Sequence, residues 1–267
     1  MANNLRANFV SLAERPEESD YAATCEVSGL RWTKRVSPDD YSLWMRVATL
    51  ESGATMRWNA SHGDEVVYVC SGGLRVRDAT CPEGGTLVVE SGVPAEVHAD
   101  VPASIVHFGP AAADPPVHGP YGPPAAEGRG VHVVGPRGRY EAPPGRAHYH
   151  FYADSTCPTC RATLLYIERD STYTSKAHHH TEDELIYVLR GSLLFGKAYE
   201  YGGGTCLAIP ANLYYNFHAG PQGFAFLNYR RDASRHVQRD GHGAGLEAGL
   251  SQGAVEVPGE HVLVPWA

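Results

Sequence analysis

The chain carries the same strand-and-turn phrase twice. Asp64–Leu74 reads DEVVYVCSGGL and Asp183–Leu193 reads DELIYVLRGSL, so that Glu65 answers Glu184, Tyr68 answers Tyr187 and Gly72 answers Gly191. Further on, GGTLVVESGVPA aligns with GGTCLAIPANLYY, with Gly84 answering Gly204 and one residue gained in the loop between. A repeat of this length means one structural unit built twice. The copies run over 38–110 and 147–232. They leave an N-terminal extension (1–37), a Pro/Gly-rich linker (111–146) containing GPYGPPAAEGRG, and a C-terminal tail (233–267) that is the least structured-looking part.

The unit itself is β. Between frequent glycines and prolines (29 and 19) lie short apolar runs rich in β-branched and aromatic residues: EVVYVC, TLVVE, SIVHF, TLLYIE, ELIYVL, FAFLNY. Runs of that length bounded by turn residues make an all-β sandwich or barrel, and no long amphipathic helix interrupts them. With 43% hydrophobic residues in 267, the chain can bury a sizeable core. A net charge of −8 without a basic run disfavours nucleic acid and anionic membranes as partners and favours a small-molecule ligand. The opening residues lack the pattern of a secretory leader and no apolar run is long enough to span a bilayer, so a cytoplasmic location is expected. Six cysteines do not make a disulfide framework here, so most are expected to be reduced.

Ionisable chemistry is concentrated in HHHTEDELIYVLRG, His178–Gly191. Alternation along a strand sends His178 and His180 to one face and His179 to the other. The residues TED can close a hairpin, after which Glu184 opens the returning strand beside the two imidazoles. Glu184, Ile186 and Val188 share a parity, so the carboxylate heads an otherwise apolar face. Such a carboxylate is costly to bury unless it is paired or ligated, and a metal ion removes the difficulty. His179, Glu182 and Asp183 are expected at the solvated surface of the turn.

The spacing His-x-His-x3-Glu-x6-Gly resembles the first signature of the cupin superfamily, and GTCLAIPANLYYNFHA resembles the second from Gly204 to Pro210. It departs at Asn212, where the family has Gly, and at Tyr215, where it has the last metal-binding His. The resemblance covers both repeats. It implies a bicupin: two double-stranded β-helix (jelly-roll) barrels joined by the Pro/Gly-rich linker. In the first copy the ligand positions hold Asn59, Ser61 and Ala95, and Glu65 alone is kept, so that barrel is expected to be a structural partner; His62 is read as a loop residue. In the second copy His178, His180 and Glu184 remain as metal ligands. Two histidines and a carboxylate match the facial triad of non-haem Fe(II) oxygenases, which favours Fe(II) and O₂-dependent, dioxygenase-like oxidation of a small, aromatic or apolar organic substrate. Mn(II) or Zn(II) in the same site would suit a non-redox isomerase, lyase, cyclase or hydrolase, and a non-catalytic binding protein is the reading from outside the enzymes.

Tyr215 is read as a catalytic hydrogen-bond donor or acid/base, because a phenol ligates a divalent ion only after losing its proton. His218, three residues on, reaches the same side only across a β-bulge. Tyr215, Phe217, Ile186 and Val188 are the expected substrate pocket, with Phe224 and Phe226 read more simply as barrel core. Cys157 and Cys160 in CPTC have zinc-ligand or redox spacing, and His148 and His150 share a strand face nearby. A second cysteine pair and a βαβ pattern are both missing, which favours a loop with structural cysteines over a metal or dithiol site. The four arginines of YRRDASRHVQRD are read as a solvated rim. Strand edges of the kind cupins pair between subunits make a homodimer the expected assembly.

Overall fold

The structure is a computed structural model, and it describes residues 6–18, 21–112, 128–143, 148–195, 199–242 and 245–266. Among the described residues helix is confined to single 3-10 turns at Leu12–Glu14 and Leu250–Gln252. Everything else that is regular is strand, and the pairings are antiparallel.

Two large sheets hold most of the chain. In the first, Glu65–Ser71 lies between Thr86–Val89 and Ala103–Pro110; in the second, Glu184–Phe195 lies between Thr205–Ile209 and Phe217–Arg230. The registers correspond: Glu65 pairs with Val89 and Val66 with Phe108, as Glu184 pairs with Ile209 and Leu185 with Tyr229. The repeated glycines explain why the phrase recurs. Gly72 and Gly191 both sit at positive φ (78° and 67°), where a Cβ would come within 2.2 Å of Pro102 O and 2.0 Å of Gly223 O respectively. Only glycine combines that conformation with so close a backbone approach.

Parity decides what each face does. Leu185 and Tyr187 join a core cluster with Val66, Tyr68, Val106 and Phe108 of the first sheet, so the two sheets pack against each other. Within that contact the Phe108 and Tyr229 rings stack at 5.3 Å, and the Tyr229 hydroxyl donates to Asp64 O at 2.9 Å. Ile186 and Val188, on the opposite face, join Leu207, Ile209, Phe217, Phe224 and Phe226 inside the second sheet. Val67 and Val69 do the same inside the first.

The chain ends are structured. Asn8–Ser11 pairs with Thr205–Ile209, and His261–Pro265 pairs with Gly130–Val134, so each terminus completes the sheet built mainly by the other half. The tail, expected to be the least ordered part, supplies Arg235–Gln238 against His178–His180 and Val255–Glu256 against Tyr140–Glu141. Its strands are short and stabilised by distant partners, which local periodicity does not register. Of the segment 111–146, residues 113–127 and 144–146 lie outside the described residues, while Gly130–Val134 is a fully buried strand. No helix among the described residues is long and apolar enough to cross a membrane.

Candidate functional site

The second sheet encloses a cavity of about 330 Å³. One wall is apolar, formed by Phe151, Leu165, Ile167, Ile186, Phe217 and Phe226; the other end carries His178, His180, Glu184, Asn228, Arg230, His236 and Glu247, with Tyr215 beside them. The inward parity of Glu184 and Ile186 places both there. Val188 packs in the same apolar cluster but is not among the lining residues.

His178 and His180 are buried and meet edge-to-face, ring centroids 5.2 Å apart, while His179 turns away to pack edge-on against Tyr214. His178 Nδ1 lies 2.7 Å from Lys176 O. A carbonyl only accepts, so the proton sits on Nδ1 and Nε2 keeps a lone pair. Burial pushes His178 down to about 4, which holds it neutral. His180 Nδ1 lies 3.2 Å from Glu247 Oε2, an ion-pair distance without hydrogen-bond alignment.

Glu184 is completely enclosed. Its Oε1 accepts from the Tyr215 hydroxyl at 2.6 Å, and its Oε2 from Asn228 Nδ2 at 2.7 Å and Arg230 Nη2 at 2.9 Å. Burial by itself would raise this carboxyl; His180 and Arg230, with the Tyr215 and Asn228 hydrogen bonds, outweigh it and hold the group below its usual range. Oε2 is saturated, and Oε1 retains one lone pair. Burial, and then the Glu184 charge, raise Tyr215 well above the ordinary phenol range, so it keeps its proton and is a donor in this setting. His218 hydrogen-bonds Thr174 at 2.9 Å and does not line the cavity.

Three participants were not anticipated. His236 lies opposite His180 across the strand pair, with ring centroids 4.6 Å from His178 and 5.3 Å from His180. Two imidazoles bound to one ion through Nε2 at about 2.1 Å have centroids roughly 4.5–5.3 Å apart, the range seen among these three rings. Arg230, expected on a solvated rim, is 98% buried in the side chain and bridges Glu184 to Glu247. Glu247 is the third; Arg230 and His180 hold it below the ordinary carboxylate range against the opposing effect of burial. The missing last histidine of the second signature was the signal to look for a substitute. Its location in the tail was not readable from spacing.

The donor chemistry fits one divalent ion: imidazole nitrogens and a carboxylate lone pair around a common space. His178, His180, Glu184 and His236 ring the cavity without all their ligand atoms closing to 4.8 Å of one another; among the described residues only a separate Glu/His/Cys cluster does so.

In the first sheet the corresponding space is filled. Glu65 accepts from Thr24 Oγ1 at 2.6 Å and Trp58 Nε1 at 2.7 Å and lies 2.9 Å from His107 Nε2, and the rings of Tyr21, Trp44 and Trp58 crowd His107. His62, read as a loop residue, is buried and bridges Gly63 O and Val93 O at 2.7 and 2.9 Å. Asp183, read as solvated, instead accepts from Ala211 N at 2.8 Å and from the Ser42 hydroxyl.

No family model and no curated protein matches the sequence. Solved structures do match. A variant of Bacillus subtilis oxalate decarboxylase superposes with a TM-score of 0.62 at 15% identity, covering 87% of this chain and 79% of that one. A second variant of the same enzyme gives 0.65 at 14% with the same coverage. The formate complex of Lactobacillus farciminis oxalate decarboxylase gives 0.65 at 13%, covering 87% and 88%. The fold is of the cupin type. Identities this low carry the fold and nothing finer.

Proposed function

We propose that this chain is a metal-dependent enzyme whose cavity takes a small organic molecule with an apolar or aromatic body and a polar head. The gathering of His178, His180, His236 and Glu184 at one end of a cavity that also presents an apolar wall carries this reading. His178, His180 and His236, with the remaining Glu184 lone pair, would hold one divalent ion. When bound, that ion supplies Lewis acidity or, if it is iron, redox capacity.

The chain's own residues do the rest. The apolar wall excludes water and orients the substrate body. Arg230 keeps Glu184 and Glu247 ionised where burial would favour the acids. Tyr215 Oη, proton retained, is the donor nearest to Glu184 and the group placed to hold or hand over a proton at the polar end. Asn228 Oδ1 is buried without a partner and offers an acceptor to a substrate hydroxyl or amine.

The three-ligand count favoured Fe(II) and O₂-dependent oxidation. His236 makes a fourth donor available, so ligand number no longer prefers iron to Mn(II) or Zn(II). A non-redox reaction, of the lyase kind, is supported to a similar degree by the likeness to oxalate decarboxylases, in one of which Mn(II) centres are described. Elemental analysis of untagged protein and its His180→Ala variant tests the metal. A metal content lower by one equivalent in the variant than in wild type supports the proposal, and equal content in both overturns it. Turnover of a panel of small organic and aromatic acids then divides the chemistries: oxygen uptake with iron marks oxidation, and activity with manganese or zinc under argon marks the non-redox class.

A further inference from the structure

The tightest cluster of metal-ligating side chains lies elsewhere, where the two sheets meet. Glu90 follows the strand Thr86–Val89, and His132 stands on Gly130–Val134, the strand paired with it. Cys157 and Cys160 come from the other sheet, in the loop that follows Tyr149–Asp154. All four are buried, and one ligand atom from each lies within 4.8 Å of all the others. Cys157 Sγ is 3.6 Å from His132 Nε2 and 3.7 Å from Glu90 Oε1. In a tetrahedron with bonds of about 2.3 Å to sulfur and about 2.0–2.1 Å to nitrogen and oxygen, sulfur stands roughly 3.6 Å from each lighter ligand.

We propose that Glu90, His132, Cys157 and Cys160 form a structural zinc site that ties the two sheets together. Four protein ligands close the coordination shell, as structural zinc requires, and two thiolates select zinc over the hard cations. Beside the cluster is a cavity of about 10 Å³, room for an ion and not for an organic ligand. His132 Nδ1 lies 2.8 Å from His261 Nε2. With a proton on Nδ1 donated across that contact, Nε2 is the nitrogen turned to the ion, the usual outer partnership of a ligating histidine. Glu90 Oε2 is held from the other side by Gly130 N at 2.6 Å, while Oε1, the oxygen that faces His132 and Cys157, accepts from the Thr159 hydroxyl. Zinc uptake would displace the two thiol protons and the proton now shared between His132 Nε2 and Glu90 Oε1, 2.8 Å apart. A Cys157–Cys160 disulfide, the rival for the same sulfurs, gives Glu90 and His132 nothing to do. The partners of CPTC were out of reach of sequence spacing: His150, the nearby candidate, bonds Arg137 O instead.

The test uses the full untagged chain, expressed with zinc and purified under reducing conditions. Wild type should hold zinc that the Cys157→Ser/Cys160→Ser double variant loses by one equivalent and that His180→Ala keeps, which separates this site from the cavity ion. X-ray absorption at the zinc edge should show two sulfur and two nitrogen or oxygen neighbours. Cobalt(II) loaded into reduced wild type should give thiolate charge-transfer and tetrahedral d–d bands, a readout that does not depend on a variant folding. Zinc retained in full by the double variant, a sulfur-free zinc shell, or the absence of cobalt–thiolate bands in reduced wild type would each overturn the site.

Discussion

Arg230 connects two carboxylates that burial would otherwise neutralise. It reaches Glu184 Oε2 at 2.9 Å and Glu247 Oε2 at 2.5 Å with its side chain almost wholly enclosed. Replacing it by Met removes the cation and leaves both acids buried and facing one another, which costs about 3–5 kcal/mol. Urea unfolding should show that loss, and adding Glu247→Gln should return part of it, because one unpaired charge is then gone. Tyr215 separates two roles that a sequence cannot. Tyr215→Phe should leave metal content unchanged, since the protonated phenol bonds Glu184 and is no ligand. It should lower kcat by about 10²–10⁴ if the hydroxyl supplies the proton, with stability changed by only about 1 kcal/mol. Loss of metal in this variant would identify a phenolate ligand instead.

At the scale of elements, the repeat was the most legible feature, and the reason is steric. Gly191 is fixed by a backbone approach that any side chain would block, so the phrase around it could be read twice and its strands placed correctly. Gly191→Ala should therefore destabilise far more than Gly53→Ala: Gly53 is also at positive φ (82°), but a Cβ there would meet nothing within 4 Å. The expected difference is at least about 2 kcal/mol, read from the two urea midpoints, since Gly53→Ala carries only the conformational strain of about 1 kcal/mol. Equal effects would mean that the Gly223 carbonyl yields freely. Parity along Glu184–Phe195 likewise put Glu184 and Ile186 into the cavity from the sequence alone. His236, Glu247, Glu90 and His132 were not legible. Each reaches its cluster through the pairing of strands distant in sequence, and nothing local marks a lone histidine on a short strand as facing a cavity.

Over the whole molecule the two sheets share one buried cluster, and each is completed by the opposite chain end, so unfolding should be a single cooperative transition rather than two. Its pH dependence follows from histidines that the fold keeps neutral. Burial lowers His150, His178, His236 and His261 below the ordinary imidazole range, the second and last to about 4. A group whose folded pKa is depressed binds fewer protons in the native state than in the unfolded chain, whose histidines titrate near 6.5, so stability falls wherever the unfolded chain takes up the extra proton. The contribution is complete above about pH 6.5 and is lost progressively as the pH falls toward about 4; for His178, which is nearly enclosed, it amounts to about 3 kcal/mol. Glu184 and Glu247, also depressed, add a further loss at still lower pH as they are forced to protonate. Metal-free protein should thus show an unfolding midpoint in urea that declines below about pH 6.5, before ordinary carboxylates titrate, with Glu182, raised to about 7 by burial, offsetting part of the fall. A midpoint constant down to about pH 4.5 would mean that these imidazoles are solvated in the native state, and the neutral state inferred for His178 would fall with it.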